Sequence, residues 1–305
     1  ALHDYLTDGN RALFQAEIVG AEVYRFDASE RQNWQRTHEE PLENVCYTYG
    51  YYFGLIEVDA QDPDHLWIAG VPLLESVDGG NEWQSIGAAN VHVDHHFLWS
   101  NPKNPKHLIN GNDGGINVTF DGGEHWTSCN APAVGQFYAV AVDNAEPYRI
   151  YGGLQDNGTW RGPSTYTESP RWHQTGDYPY DRLNGGDGMQ IEVDTRDNET
   201  VYTGSQFGWY SRQDRHNKDY TSIHPQHELG ETPLRWNWQT PIWLSRHQPD
   251  ILYMASNRVH RSFDQGNEWE TLSRDLTRGG IKGNVPFGTI SSLHESPVRF
   301  GQLAI

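Results

Sequence analysis

The chain has 305 residues, of which 36% are hydrophobic and 12% aromatic, so it is too poor in aliphatic side chains for one large layered core. Its formal net charge of −19, with no basic stripe, argues against a nucleic-acid partner. No stretch approaches the roughly 18 apolar residues that a membrane helix requires. The two cysteines, Cys46 and Cys129, form no Cys-x-x-Cys pair of the kind that binds metals.

Short strand-like runs recur along the chain in a fixed order. Each unit opens with alternating apolar and polar residues, passes a turn rich in Asp, Asn and Pro, and returns in a run that ends in small residues. Successive openings fall at 52–59, 95–99, 136–138, 188–190, 240–242 and 288–290. Their spacing of roughly 40 to 53 residues is the length of one four-stranded blade. The pattern predicts an all-β fold, a β-propeller of about six to seven four-stranded blades with incomplete ones allowed.

An eight-residue pattern, Ser/Thr-x-Asp-x-Gly-x-x-Trp, occurs at 76–83, 119–126 and 262–269, and a degraded copy is predicted at 25–34. The hydroxyl and the carboxylate can hydrogen-bond backbone amides across a tight turn, and the glycine takes a conformation closed to other residues. The tryptophan can fold back into the core, so truncating any of the three is expected to cost roughly 3 to 5 kcal/mol. We interpret the following residues as structural: Ser76, Asp78, Gly80, Trp83, Thr119, Asp121, Gly123, Trp126, Ser262, Asp264, Gly266 and Trp269.

The unusual polar residues concentrate in two kinds of loop, those that lead into the first strand of a blade and those that follow its second strand. In an up-and-down blade both kinds lie on the same face, so this face is the predicted site. The candidate ligand-binding residues there are Tyr51, His92, Asp94, His95, His96, Gln155, Asp156, Gln206, Asn257 and Arg258.

Asp113 and Asp187 are the candidate catalytic residues on this face. Glycoside hydrolysis needs two carboxyl groups about 5 to 10 Å apart, and these two acids, with Asp156, could supply them. Aspartate beside glycine is also an ordinary turn former, and we favour that interpretation for each of the three.

The four residues His92, Asp94, His95 and His96 carry imidazole and carboxylate groups suited to zinc or a similar ion. Neighbouring side chains on a strand point to opposite faces, so the three imidazoles cannot all converge. We therefore expect no cofactor and a hydrogen-bonded structural cluster, with a divalent metal at this cluster as the alternative.

The eight-residue pattern resembles the Asp-box of the bacterial neuraminidase repeat, which joins the two outer strands of a propeller blade. Longer stretches resemble the sortilin-type, neuraminidase-repeat (Asp-box) propellers of large exported bacterial proteins, often labelled glycosyl hydrolase-like. These stretches occur in order at 92–99, 111–115, 135–138, 152–158, 185–188 and 257–259. The resemblance implies one β-propeller over 1–305, belonging to a longer multi-domain protein that is extracellular or periplasmic.

The sequence is compatible with three functions. Sortilin-type receptors hold peptides in a wide channel without chemistry, which implies a binding or scaffolding module for a glycan or a peptide. The similar tandem-propeller xyloglucan hydrolases place two Asp residues of two propellers across a shared cleft, which implies a xyloglucanase-like or sialidase-like hydrolase; Asp113 is the position nominated for one half of such a pair. The third alternative is a structural subunit of a surface assembly, with other domains or subunits as partners.

Overall fold

The computed structural model describes residues 20–26, 34–47, 50, 52–129, 135–167, 169, 179–217, 219–279 and 288–305. The chain separates into two compact units, an N-terminal unit within Ala16–Val134 and a C-terminal unit within Gly135–Ile305. Two predicted residues, the site residue Tyr51 and Asp27 of the degraded eight-residue copy, lie outside the described residues.

The N-terminal unit contains one two-stranded and two four-stranded antiparallel sheets in its described part. The small sheet pairs β1 (Tyr24–Arg25) with β2 (Gln35–Arg36). The next sheet runs in the order β3 (Leu55–Val58), β4 (Leu66–Ala69), β5 (Leu73–Ser76) and β6 (Gln84–Ser85). The last runs in the order β7 (His95–Asn101), β8 (Asn104–Asn112), β9 (Gly115–Thr119) and β10 (Thr127–Ser128).

The C-terminal unit contains three four-stranded sheets and one two-stranded sheet over its described residues. The first comprises β11 (Phe137–Val142), β12 (Arg149–Leu154), β13 (Gly158–Pro163) and β14 (Asp181–Asn184). The second comprises β15 (Glu192–Val193), β16 (Thr200–Gly204), β17 (Tyr210–Asp214) and β18 (Asp219–Ser222). The third comprises β19 (Ile242–Leu244), β20 (Leu252–Ala255), β21 (Val259–Ser262) and β22 (Glu270–Thr271), and the small sheet pairs β23 (His294–Glu295) with β24 (Leu303–Ala304).

In each four-stranded sheet, strands that follow one another in sequence are neighbours in space. This up-and-down order is that of a propeller blade, so the predicted fold class, all-β with four-stranded β-propeller blades, is confirmed. The total number of blades and the single propeller over 1–305 stay predictions. The described residues contain one 3₁₀ turn, Gln206–Gly208, and none of their helices has the length and apolar content to cross a bilayer.

The core of each unit lies around the second strands of the sheets. Every residue of β4, β16 and β20 is buried. The first strands, in contrast, are paired on one side only, and β3 and β11 leave several residues exposed. Burial and pairing thus make the second strands structural and leave the first strands with an open edge.

The three eight-residue repeats form the same hydrogen-bonded turn between the third and fourth strands of their sheets. In the first copy, the Ser76 hydroxyl donates to Asp78 Oδ1 (2.8 Å) and the Gly80 N–H donates to Ser76 Oγ (2.9 Å). The equivalent distances are 2.7 and 3.1 Å in the second copy and 2.7 and 2.8 Å in the third. The glycine has φ between 91° and 97° in all three, a conformation that favours glycine.

The tryptophans of these turns differ in burial. Trp126 is buried at 6% exposure, and its indole N–H donates to the Ile86 carbonyl (2.8 Å). Trp83 is half-buried and its N–H donates to the carbonyl of Gly80 in its own turn (2.9 Å), and Trp269 is also half-buried. The three positions therefore carry unequal shares of stability, unlike the uniform cost expected from sequence.

Candidate functional site

In the N-terminal unit, β7 directs its two adjacent histidines to different surroundings. His95 is buried, and its Nδ1 lies 2.8 Å from Asn110 Oδ1. Burial is the main cause that lowers the pKa of His95. His96 instead stacks on Phe53, with ring centroids 5.2 Å apart, and its Nε2 lies 3.0 Å from Asp113 Oδ1.

The remaining candidates of this loop do not complete a metal site with these histidines. His92 Nδ1 lies 2.9 Å from the carbonyl oxygen of Val93, and Asp94 has a left-handed backbone with φ of 65°. In the part of the chain that the structure describes, no set of three donor atoms within 4.8 Å includes any of the three imidazoles. The alternation of side chains along β7 thus separates the histidines.

In the C-terminal unit, the loop 185–188 that leads towards β15 packs against the turn between β12 and β13. Asp187 in this loop is only 3% exposed. Its Oδ1 accepts the Asp156 N–H (2.9 Å), and its Oδ2 lies 3.5 Å from the Tyr138 hydroxyl. Two backbone bonds of 2.8 Å, from the N–H of Gly188 to Leu154 and from that of Gly158 to Gly186, join the same segments. Asp187 therefore holds loop 185–188 against the turn between β12 and β13.

Gly188 of this loop and Gly153 of β12 allow two backbone segments to approach closely. A Cβ on Gly188 would lie 2.2 Å from the carbonyl oxygen of Gly158, and a Cβ on Gly153 would lie 2.2 Å from that of Met189. No side chain fits at such distances, so close packing explains the glycine at 188, and the φ of 68° explains that at 186.

We expect Gly188→Ala to lower the free energy of unfolding by about 2 kcal/mol, because the added methyl group has to displace backbone. Gly185→Ala is the matched control from the same loop, since its Cβ would meet only the tip of Arg182 at 3.5 Å. Urea melts of both variants measure the difference. Equal midpoints for the two variants would contradict the close packing at Gly188.

Four loops of the C-terminal unit meet and are named the loop cluster here: 155–157, 185–188, 206–208 and 237–239. The Phe207 N–H donates to the Trp238 carbonyl (3.2 Å), and the two rings meet edge to face at 5.3 Å. Phe207 adopts φ of 60°, an outlier for an aromatic residue. Gln206 Oε1 lies beside Gly186, 3.2 Å from where a Cβ would stand.

The other candidates of this unit hold backbone in place. The Gln155 N–H donates to the Gln136 carbonyl (2.9 Å). Asn257 is buried, and its Oδ1 accepts the Arg235 N–H (3.0 Å). Arg258 Nη1 lies 3.4 Å from a carboxylate oxygen of Glu231. Asn257 and Arg258 therefore support neighbouring loops.

A cavity of about 580 Å³ lies in the C-terminal unit, along the first strands β11, β15 and β19. Two of the residues that line it connect it to the loop cluster. Gln239 belongs to the loop cluster, and the Tyr138 hydroxyl lies near Asp187 of that cluster. Deeper in the wall, Glu192 is 5% exposed, and its Oε2 lies 3.5 Å from Arg246 Nη2. Burial raises the pKa of Glu192 to about 7, against the opposing effects of the Arg246 charge and the Leu244 N–H.

Glu192 and Arg246 were not among the residues selected from the sequence. The signal was present: alternation along 190–193 places Gln190 and Glu192 on one face of an otherwise apolar strand. The sequence prediction rests on the turn-forming polar residues of the loops, whereas Glu192 lies in an inner strand. A raised carboxyl pKa in a cavity is typical of functional sites, which makes Glu192 the main addition to the candidates.

No family model matches the chain. No curated protein matches it. Among solved structures it is similar to a GH74 enzyme of Niastella koreensis, at 16% identity and a TM-score of 0.33, covering 83% of this chain and 42% of that chain. It is similar to a GH74 xyloglucanase of Xanthomonas campestris, at 17% identity and a TM-score of 0.33, covering 85% and 43% of the two chains.

A further similar structure is YCF48 bound to D1 peptide, at 14% identity and a TM-score of 0.31, covering 83% of this chain and 77% of that chain. These neighbours are β-propeller proteins. The chain spans less than half the length of the two GH74 enzymes. None of the three assigns an activity to it, and membership of the sortilin-type, neuraminidase-repeat family stays a prediction.

Proposed function

We propose that this chain is a binding module of the β-propeller type, which takes a glycan or a peptide chain in the cavity beside the loop cluster. The observation that carries the proposal is the environment of Asp187. This carboxylate is 3% exposed, accepts the Asp156 N–H and faces the Tyr138 hydroxyl. A carboxylate so enclosed serves to position two loops and is poorly placed to reach a glycosidic oxygen.

The cavity lining supports binding over hydrolysis. Among the described residues that line the cavity, Glu192 is the single carboxylic acid, whereas the usual hydrolytic mechanism needs two carboxyl groups about 5 to 10 Å apart. The rest of the wall combines aromatic rings, amide side chains and apolar side chains such as Val140 and Val142. Polar groups make up more of the exposed lining than apolar groups do, which suits a ligand rich in hydrogen-bonding groups, such as a glycan or a peptide chain.

The cavity wall contains groups that suit a glycan and groups that suit a peptide. Aromatic and amide side chains, such as Trp243, Gln190 and Gln239, suit the stacking and hydrogen bonding of a sugar ring. The open edges of the first strands offer unpaired backbone groups to an extended peptide. Both therefore belong in the same screen.

The test is a glycan array and a peptide array probed with the intact chain, with released reducing sugar measured on every glycan hit. We expect binding without release. Gln239→Ala is expected to weaken binding to any hit by about fivefold through loss of a polar contact in the cavity. Gln248→Ala is the matched control, because both glutamines are exposed but they flank opposite ends of β19. Equal effects of the two variants, or no hits on either array, would contradict the proposal.

A hydrolase is the second candidate, and the raised pKa of Glu192, about 7, is the observation that favours it. A general acid works best when its pKa lies near the working pH. Release of reducing sugar from a glycan hit, abolished in Glu192→Gln or Asp187→Asn without unfolding, would support this candidate over the binding module. Export from the cytoplasm and association with further domains or subunits stay predictions from the resemblance.

A further inference from the structure

The cavity of the C-terminal unit contains an unequal pair of charges. Among the described residues that line it, Glu192 and Arg246 are the two with ionisable acidic or basic side chains. The Glu192 side chain is 6% exposed, whereas that of Arg246 is 53% exposed. The acid is therefore part of the wall, and the guanidinium is accessible to a ligand.

The contact between the two side chains is loose. Arg246 Nη2 lies 3.5 Å from Glu192 Oε2, at the outer limit of a hydrogen bond. The guanidinium also lies over the Trp243 ring, with its central carbon 5.5 Å from the ring centroid. A guanidinium has five N–H donors in one plane, and stacking on an aromatic face leaves the edge of that plane open to hydrogen bonds.

The charge of Glu192 changes near neutral pH. Burial raises the pKa of its carboxyl group to about 7. The other titratable groups near the pair include three tyrosines, Tyr202 on the adjoining strand β16, Tyr210 on β17 and Tyr138 on β11. Asp194, two residues along the chain, is paired with Arg196 (2.7 Å), and the His294 ring lies 4.6 Å from that of Trp243. Burial raises the pKa of each of these phenols, so they stay neutral. Below neutral pH the positive charge of Arg246 is thus uncompensated in the cavity.

We propose that Arg246 anchors a carboxylate-binding site in this cavity and that Glu192, when ionised, competes with the ligand for the guanidinium. The inference rests on the proposed binding function and specifies its ligand as one that carries a carboxylate. A carboxylate matches the planar donor edge of arginine and forms two parallel hydrogen bonds with it. Loss of the Glu192 proton supplies an internal carboxylate at the same donors, so ligand affinity falls as pH rises.

Acetate is the probe, with chloride at the same ionic strength as reference, and the Trp243 indole NMR signal of the full chain is the readout. We expect acetate affinity to fall about fivefold between about pH 6 and pH 8.5, the magnitude of a half-exposed ion pair. In Glu192→Gln the affinity should be high and independent of pH. In Arg246→Gln binding should be lost at both values, while Arg261→Gln, which removes an arginine paired with Glu270 outside the cavity lining, should behave as the wild type.

A pH dependence that persists in Glu192→Gln, or acetate binding that persists in Arg246→Gln, would overturn the proposal. Titrations with glucuronate and with N-acetylglycine then distinguish an acidic sugar from a peptide carboxylate as the natural source. The binding module and the carboxylate site can be contradicted independently of each other. Array hits that bind Arg246→Gln as tightly as the wild type would retain the binding module without the anion site. Acetate binding without array hits would retain the anion site alone.

Discussion

Trp126→Ala is expected to lower the free energy of unfolding by roughly 3 to 5 kcal/mol, the range for removing a large buried aromatic side chain. Trp126 is 6% exposed and packs in one cluster with Trp67, Leu73 and Leu108. The substitution empties this space and also leaves the Ile86 carbonyl without the indole N–H that donates to it at 2.8 Å. A urea melt followed by circular dichroism measures the loss, with an unchanged slope indicating an unchanged unfolding reaction.

Trp83→Ala is the matched control, because it removes the same side chain from the same position of another copy of the turn. Trp83 is half-buried, and its N–H donates to the carbonyl of Gly80 within its own turn. Its loss should cost about half as much, since a smaller apolar area returns to water. Equal destabilisation by both variants would show that the turn itself, and not the packing of Trp126, sets the cost.

Glu192→Gln is expected to raise the free energy of unfolding by about 3 kcal/mol above about pH 8, the difference between a carboxyl pKa of 4.5 and one of about 7. The cause is burial, which penalises the charged carboxylate and not the neutral amide. The glutamine oxygen can still accept the Leu244 N–H. Arg246 is left alone but is half exposed, so water solvates its charge.

The difference in the free energy of unfolding between wild type and Glu192→Gln is expected to depend on pH. Below the ordinary pKa of 4.5, Glu192 is protonated in the folded and unfolded chains, so wild type and variant should be equally stable. Between 4.5 and about 7 the unfolded chain releases the proton while the folded chain keeps it, and the wild type loses stability as pH rises. Above about pH 8 the loss is complete. Thermal or urea melts across this range should therefore show a difference that grows and then levels off.

Glu295→Gln separates this effect from a general benefit of removing a buried acid. Glu295 is equally buried, at 4% exposure, but accepts hydrogen bonds from the Ser245 hydroxyl (2.6 Å) and the Gly301 N–H (2.9 Å). A glutamine NH₂ group would face one of these donors, at a cost of roughly 1 to 3 kcal/mol. The two variants should move in opposite directions at alkaline pH. Destabilisation by both would refute the burial penalty assigned to Glu192.

The repeats predicted the sheets well because the geometry of a tight turn requires particular residue types at particular positions. The Asp, Gly and Trp positions of the eight-residue pattern are required by one hydrogen-bonded turn, so three copies reveal three outer strand pairs. The sheets that contain Trp160 and Tyr210 lack that turn, and the spacing of the strand openings at 136–138 and 188–190 predicts them. Burial depth could not be predicted in this way, because Trp83 and Trp126 occupy the same position in the motif and pack against different neighbours.

The candidate site was predicted less well, for a related reason. Asp187 has the residue type of a catalyst, but the hydrogen bond with a distant turn, from which we infer a positioning role, is a long-range contact. His95 and His96 are adjacent in sequence and separate in space, as alternation along a strand requires. For Glu192, alternation along the strand marks a polar residue, but its burial in a cavity wall built by three sheets depends on long-range contacts.

The open edge of the first strands has a consequence for how such a chain can diversify. The residues that hold a sheet together lie on its second strand, whereas Val140 and Val142 of β11 are 62% and 55% exposed and face no core. Substitutions at these two positions of β11 can therefore alter the cavity wall while leaving the core intact. The first strands β15 and β19 differ, because Val193, Ile242 and Leu244 are buried in the core. In the sheet of β11 to β14, cavity surface and core are thus encoded on different strands.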